Sequence, residues 1–171
     1  MQSFPSLLRS TFHILLRRGS PERIQIAAWS LPVSLLLATV GYALVHLLLF
    51  RVSGAQTALS LFCFIAMLAA GMSWITRYVP RRRLSQVLVA MLMMLALCTG
   101  LMAAIGLLPE SRYGHWLAMP VALVLLFGLS HALGFALKRH QLFALAWCVL
   151  FAGVVYGLYL LLNNQLEIVF A

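Results

Sequence analysis

The chain has 171 residues, of which 64% are hydrophobic and only 9% are charged, and its mean hydropathy is +1.02. An ordinary soluble domain has about 25% charged residues, and a soluble globule of this length could not bury so much apolar surface. The composition therefore excludes a cytosolic enzyme, a disordered tail and a disulfide scaffold, and it indicates a membrane protein.

The formal net charge is +9, because 12 basic residues face only three acidic ones. On a soluble protein this balance would suggest nucleic acid. Here the basic residues lie in short clusters between long apolar runs, where they would meet lipid phosphates. We therefore expect anionic membrane lipids, and not nucleic acid, as the partners of these charges.

The first element, over residues 1–19, is predicted to be an amphipathic helix that lies in the membrane plane. Its apolar side is formed by Phe4, Leu7, Leu8, Thr11, Phe12, Ile14, Leu15 and Leu16, and its polar side by Ser6, Arg9, Ser10, His13 and Arg17. Gly19, Ser20 and Pro21 have the types that end one helix and begin the next. We expect the first spanning helix to begin near Pro21 and to bend at Pro32, which lacks a backbone N–H.

Five runs without a charged residue follow, at 24–50, 52–76, 84–109, 113–137 and 140–166. Each could reach roughly 37–40 Å as a helix, and a hydrocarbon core is about 30 Å thick. Backbone inside hydrocarbon must satisfy its own hydrogen bonds, so an all-α polytopic membrane protein is predicted. The expected spans are 27–50, 55–76, 84–108, 116–137 and 141–162. They would form one bundle over residues 20–162, with a short tail at 163–171.

The basic residues also predict an orientation. Ten of the 12 fall in the N-terminal segment and in the second and fourth connections, whereas only Arg51 and Arg112 fall on the other side. The positive-inside rule then predicts a cytoplasmic N-terminus and an extracytoplasmic C-terminus. Eleven of the 12 are Arg, which favours a GC-rich bacterial genome and hence the bacterial inner membrane.

The predicted spans contain few residues that could bind a metal ion or transfer a proton. His46 and His131 form the candidate intramembrane polar site, which could relay protons or bind metal. Because they lie at different depths they cannot share one ion, and the alternative is that each is neutral, packed between helices and bonded to a hydroxyl or a backbone carbonyl. The three cysteines match no zinc motif. We expect no catalytic residue, no metal and no cofactor.

Small residues spaced four apart let helix backbones approach closely. Gly153 and Gly157 form such a GxxxG pair in the fifth span, and Gly100 lies in a similar stripe in the third. These glycines are predicted to pack spans within one subunit, with a dimer face as the alternative.

The remaining candidates are arginines on the expected cytoplasmic side. They are Arg9, Arg17, Arg18, Arg77, Arg81, Arg82 and Arg83. Such residues anchor the topology, or they bind anionic headgroups at about 1 kcal/mol each or an acidic face of a partner.

The sequence combines a basic amphipathic N-terminal segment, the segments Leu15-Leu16-Arg17-Arg18-Gly19-Ser20-Pro21 and Leu31-Pro32-Val33-Ser34, and five short-looped spans. In these features the chain resembles bacterial membrane proteins that are related in fold to the Yip1 family. The topology match covers the whole chain and the sequence match its first quarter. This resemblance implies a five-helix integral membrane protein. It brings no catalytic residues, and the link of eukaryotic members to small GTPases and vesicle traffic is not carried over.

These observations favour a non-catalytic structural or interaction component of the membrane that binds anionic lipid, a second copy of itself or another membrane protein. The alternative is a transporter or channel subunit for a small or amphiphilic solute, with Pro32 and His46 along its path. A water-filled cavity that reaches His46 would favour this alternative.

Overall fold

A computed structural model describes residues 3–16, 18–24, 26–77, 79–108 and 114–170. Every regular element in these ranges is helical. Five helices are long and apolar enough to cross a membrane, with spans at Ser30–Leu49, Gly54–Ser73, Arg83–Gly106, Trp116–Leu137 and Gln141–Asn163. The predicted all-α protein with five membrane-spanning helices is thereby confirmed.

The elements in chain order are α1 (Phe4–Leu15), a 3-10 turn (Pro21–Arg23), α2 (Ser30–Leu44), α3 (Gly54–Ile75), α4 (Arg81–Gly106), α5 (Gly114–Leu137) and α6 (Gln141–Phe170). α2 continues directly into a π-helical turn, Val45–Leu49, so the two together form the first span. α6 runs on to Phe170, and the expected tail is therefore helical over most of its length.

The start of the first spanning helix differs from the prediction. Pro21 opens only a 3-10 turn, capped by the Ser20 side chain, which accepts a hydrogen bond from the backbone N–H of Glu22 at 3.3 Å. The expected helix start near Pro21 is wrong, because the side chain of Gln86 in α4 donates to the carbonyls of Glu22 and Ile24 and holds this segment outside a helix. α2 begins at Ser30, so Pro32 lies in its first turn, where a missing N–H removes no helical bond and gives no reason for a bend.

The five spans form a closed ring, and α4 is its most buried member. α4 packs against α2 and α5, α5 packs against α6, α6 against α3, and α3 returns to α2. Buried side chains of α4, among them Val89, Met93 and Met94, form the centre of the main apolar core. The chain neighbours α4, α5 and α6 are therefore also neighbours in space, whereas α2 packs mainly on α4 and α3 mainly on α6.

Close contacts between helices occur at glycines, but at other glycines than the predicted Gly100, Gly153 and Gly157. Among the described residues, no heavy atom lies within 4 Å of a Cβ built on Gly100, Gly153 or Gly157. The predicted close contact of two spans at these three glycines within one subunit is therefore wrong, because no described atom of another helix approaches them, and the dimer face stays a prediction. A Cβ on Gly41 would instead collide with Thr99 of α4, and one on Gly106 would lie 2.8 Å from backbone atoms of the π-helical turn.

α1 lies against the bundle and contacts both α4 and α5. Its buried side is Leu7, Thr11 and Ile14. At its end, Leu15 fills the space over Gly128, where a Cβ would lie only 2.7 Å from the Leu15 Cδ1 atom. Gly128 is nine residues before the end of α5, which corresponds to about 13 Å along that helix. α1 is thus docked on the spans, while Phe4, Phe12 and Leu16 keep 41%, 54% and 45% of their surface exposed.

Candidate functional site

A cavity of about 350 Å³ opens where three spans end on the same side of the bundle. It is lined by Arg83, His131, Gly134, Phe135, Lys138, Arg139 and Gln141, and we call it the basic cavity. Arg83 begins the third span, Leu137 ends the fourth and Gln141 begins the fifth. In a membrane-spanning protein, the ends of the apolar spans lie near the boundary between hydrocarbon and headgroups.

The rim of the basic cavity is a tight turn that exposes two consecutive cations, Lys138 and Arg139. The N–H of Arg139 donates to the carbonyl of Gly134 at 3.1 Å, and the N–H of Lys138 donates to that of Phe135 at 3.4 Å. These two bonds form a Schellman motif, whose central residue is left-handed and is usually Gly. Lys138 occupies that position with φ of 52°, a strained conformation for a residue with a Cβ.

Arg83 forms one wall of the basic cavity, and its charge is already paired. Its Nη2 atom lies 2.8 Å from the Glu22 carboxylate, and its guanidinium lies over the Phe135 ring at 5.0 Å from the centroid. Only 19% of the side chain is exposed. On its other side, Arg83 borders a second cavity together with Glu22, Pro80 and Gln86. Arg83 therefore joins α4 to the turn after α1 and to α5.

His131 lies deeper in the basic cavity, six residues before the end of α5, which is about 9 Å along the helix. Its Nε2 atom lies 3.4 Å from the carbonyl oxygen of Gly19. Because a carbonyl only accepts, Nε2 is the donor in this pair. His131 thereby links α5 to the segment that follows α1.

The other predicted cations are spread along the same end of the bundle. Arg9, Arg18, Arg77 and Arg81 are exposed. Arg82 lies in the first turn of α4, and Arg17 lies outside the described residues. The sequence predicts the orientation in part from Lys138 and Arg139 and places them among the lipid-facing basic clusters, but it does not single them out as site residues. Their position in the sequence could have indicated a site. The connection between α5 and α6 consists of this basic pair and one further residue, His140.

His46, near the opposite end of the bundle, belongs to a separate polar cluster. Its Nδ1 atom lies 3.0 Å from the Tyr42 carbonyl, its Nε2 atom lies 2.9 Å from the Ser60 hydroxyl, and the Tyr42 hydroxyl lies 2.8 Å from the same Ser60 oxygen. Nδ1 must donate to the carbonyl, so in the neutral ring Nε2 accepts from Ser60, and Ser60 accepts from Tyr42. The Tyr42 ring also packs against His46, with centroids 4.4 Å apart.

In this cluster both ring nitrogens of His46 have hydrogen-bond partners within the chain. This agrees with the alternative in which His46 is packed between helices and bonded to a hydroxyl or a backbone carbonyl. Ser60 is 3% exposed, and the cluster joins the first span to α3. It lies next to the π-helical turn, which contains His46 itself. We interpret the cluster as a polar clamp between two spans. His46 and His131 belong to different sites, and each forms its own bonds.

The cysteines Cys63, Cys98 and Cys148 are unpaired thiols, one each in α3, α4 and α6. Among the described residues, no three His, Cys, Asp or Glu side chains are grouped closely enough to hold a metal ion.

Comparisons with protein-family models, with curated proteins and with solved structures find no match to this chain. The resemblance to the Yip1 family therefore stays a prediction, and the function has to be argued from the basic cavity itself.

Proposed function

We propose that this integral membrane protein is a non-catalytic component of the bacterial inner membrane that binds anionic lipid headgroups in the basic cavity. The observation that carries the proposal is the convergence of Lys138 and Arg139, beside the Glu22-paired Arg83, on one cavity at the ends of three spans. Basic pockets between spanning helices on the cytoplasmic side are typical binding sites for anionic headgroups.

The surroundings of the basic cavity support a lipid as its ligand. α1 and the residue that follows it present the apolar side chains Phe4, Phe12 and Leu16 on the side that does not pack on the bundle. With Arg9 exposed on the same helix, these side chains suit a helix at the acyl boundary. We therefore retain the proposal that α1 begins at the interface, now as a helix docked on α4 and α5 whose last residue, Leu15, reaches about 13 Å along α5 from the end of that helix. A second copy or another membrane protein is the further partner that this surface could accept.

The proposal places the basic cavity in the cytoplasmic leaflet, with the N-terminus inside and the C-terminus outside. A periplasmic alkaline phosphatase domain fused after Ala171 should then be active, and a green fluorescent protein at the same place should stay dark, because each reporter works on only one side of the membrane. Paired fusions after Arg77, in the second connection, should give the opposite pattern. A fluorescent C-terminal fusion would contradict the orientation and move the cavity to the outer leaflet.

Replacing Lys138 by Gly should weaken lipid binding without lowering the stability of the fold. The change removes one cation near the headgroups, so affinity for an anionic lipid should fall about fivefold, the equivalent of about 1 kcal/mol. Stability should stay equal or rise by up to about 1 kcal/mol, because Gly relieves the left-handed strain. Lipid affinity is measured by titrating phosphatidylglycerol into the full chain in neutral detergent, and stability by thermal unfolding.

Arg51→Gly is the matched control for this variant. Arg51 is also an exposed cation with a left-handed backbone, at φ of 53°, but it follows the π-helical turn at the other end of the first span. Its replacement removes the same charge and the same kind of strain away from the basic cavity. Equal losses of lipid affinity in the two variants would show a general charge effect and would contradict a site at Lys138.

The transporter or channel alternative receives less support. Neither the basic cavity nor the cavity beside Glu22 is lined by His46 or Pro32. His46 is bonded at both ring nitrogens, and Pro32 is exposed on the outer surface of α2. The residues on which that alternative depends thus belong to a clamp and to an outward face.

A further inference from the structure

We infer that the basic cavity is specific for a ligand with two linked phosphate groups, rather than for a single phosphodiester. This inference rests on the proposed function, because it names the class of headgroup that the same site takes. It follows from the balance of charge around the cavity, from the geometry of its rim and from its volume.

The charge balance leaves two cations for a ligand. Arg83 is compensated by Glu22 at 2.8 Å. Lys138 and Arg139 are exposed, and in the part of the chain whose side chains are described, neither has a carboxylate within ion-pair distance. The cavity lining itself contains no acidic residue. The site is therefore neutralised by two negative charges, whereas one phosphodiester would leave one cation unpaired.

The rim holds the backbones of these two cationic residues next to each other. They are consecutive residues, so their Cα atoms are about 3.8 Å apart, and the two Schellman hydrogen bonds fix the backbone on which both side chains stand. The left-handed conformation of Lys138 has an energetic cost that Gly would avoid, and backbone outliers of this kind cluster at ligand clamps. Two neighbouring cations on one fixed turn suit two linked anions better than a single charge.

The cavity is also large enough for such a ligand. Its volume of about 350 Å³ equals the share of roughly 12 water molecules in the liquid, and two phosphate groups with roughly five heavy atoms each fit within it. Gly134 and Phe135 form an uncharged side of the same cavity, next to the apolar surface of the spans. Two chemical sources could supply the paired phosphates: a membrane lipid such as cardiolipin, or a soluble diphosphate.

The test compares ligands at equal phosphate concentration. The purified full chain in neutral detergent is titrated with cardiolipin, with phosphatidylglycerol, with inorganic pyrophosphate and with inorganic phosphate, and binding is followed by the shift in Tm. Linked groups on two adjacent sites bind with a high effective concentration, so cardiolipin should bind at least about tenfold more tightly per phosphate than phosphatidylglycerol. Lys138→Gly and Arg139→Gln should each abolish this preference, and Arg51→Gly should preserve it.

The outcomes separate the inference from the function on which it rests. Equal affinity per phosphate for the two lipids, with both weakened by Lys138→Gly, would overturn the two-phosphate specificity and leave lipid binding in place. No effect of Lys138→Gly and Arg139→Gln on any lipid would overturn both. Pyrophosphate that binds as tightly as cardiolipin, and more tightly than phosphate, would support the paired phosphates and assign them to a soluble ligand.

Discussion

Replacing Gly106 by Ala should lower the free energy of unfolding by about 1–3 kcal/mol, the usual cost of inserting a methyl group into a packed contact. The new Cβ would lie 2.8 Å from the carbonyl carbon of Leu48 and 2.8 Å from the nitrogen of Leu49. These are backbone atoms of the π-helical turn, so a side-chain rotation cannot relieve the contact. The end of α4 and the first span would have to move apart.

The control for this variant is Gly100→Ala, six residues earlier in the same helix. A Cβ there meets nothing within 4 Å, and Ala is favoured over Gly in a helix by about 1 kcal/mol. Gly100→Ala should therefore raise the unfolding midpoint, whereas Gly106→Ala should lower it. The measurement is thermal unfolding in detergent, followed by a thiol-reactive dye on the cysteines, of which Cys63 and Cys98 are buried. Two changes of the same sign would contradict the close contact at Gly106.

Replacing Ser60 by Ala should lower the free energy of unfolding by about 1–2 kcal/mol. The Ser60 hydroxyl accepts from Tyr42 and donates to the Nε2 atom of His46. Its removal leaves both of these groups without a partner between the first span and α3. The expected loss is near the upper end for polar contacts in membranes, because one deletion removes two hydrogen bonds.

The matched control lies in the same helix. The Ser73 hydroxyl is exposed and, among the described residues, donates to the carbonyl of Ala70, one turn earlier in α3. Ser73→Ala should change the unfolding free energy by no more than about 0.5 kcal/mol. Nitrogen NMR of the His46 ring gives an independent readout, since the wild-type ring should carry its proton on Nδ1. A Ser60→Ala variant as stable as Ser73→Ala would contradict the polar clamp.

The predicted helices agree with the observed ones where their position depends only on residues close together in the sequence. The runs without charged residues had to be helical, because hydrocarbon offers no partner for backbone groups, and the structure has five spans within a few residues of the predicted ones. The exception is the start of the first spanning helix, which was expected near Pro21 and lies at Ser30. Its delay to Ser30 depends on the side chain of Gln86, which lies 62 residues further along the chain than Ile24.

The candidate site shows the same division. Arg83 and His131 were singled out for different reasons, the first as a lipid contact and the second as an intramembrane polar group, and the fold brings both to one cavity. Lys138 and Arg139 are visible in the sequence as a basic pair, but their role at the rim depends on the turn that joins α5 to α6. Sequence reasoning could not assign the partner of Arg83, since Glu22 precedes it by 61 residues.

By itself, the sequence determined the class of protein, the number of spans and the ends at which the cations gather, because each of these depends on hydropathy and charge counted along the chain. Only the tertiary structure decided which helices touch, which glycines lie in close contacts and, among the described side chains, which cation is paired with a carboxylate. The glycines show the reason. Gly100 and Gly106 are equally small and lie in one helix, but only Gly106 faces the backbone of another span, and the direction in which a residue faces is set by the packing of the whole bundle.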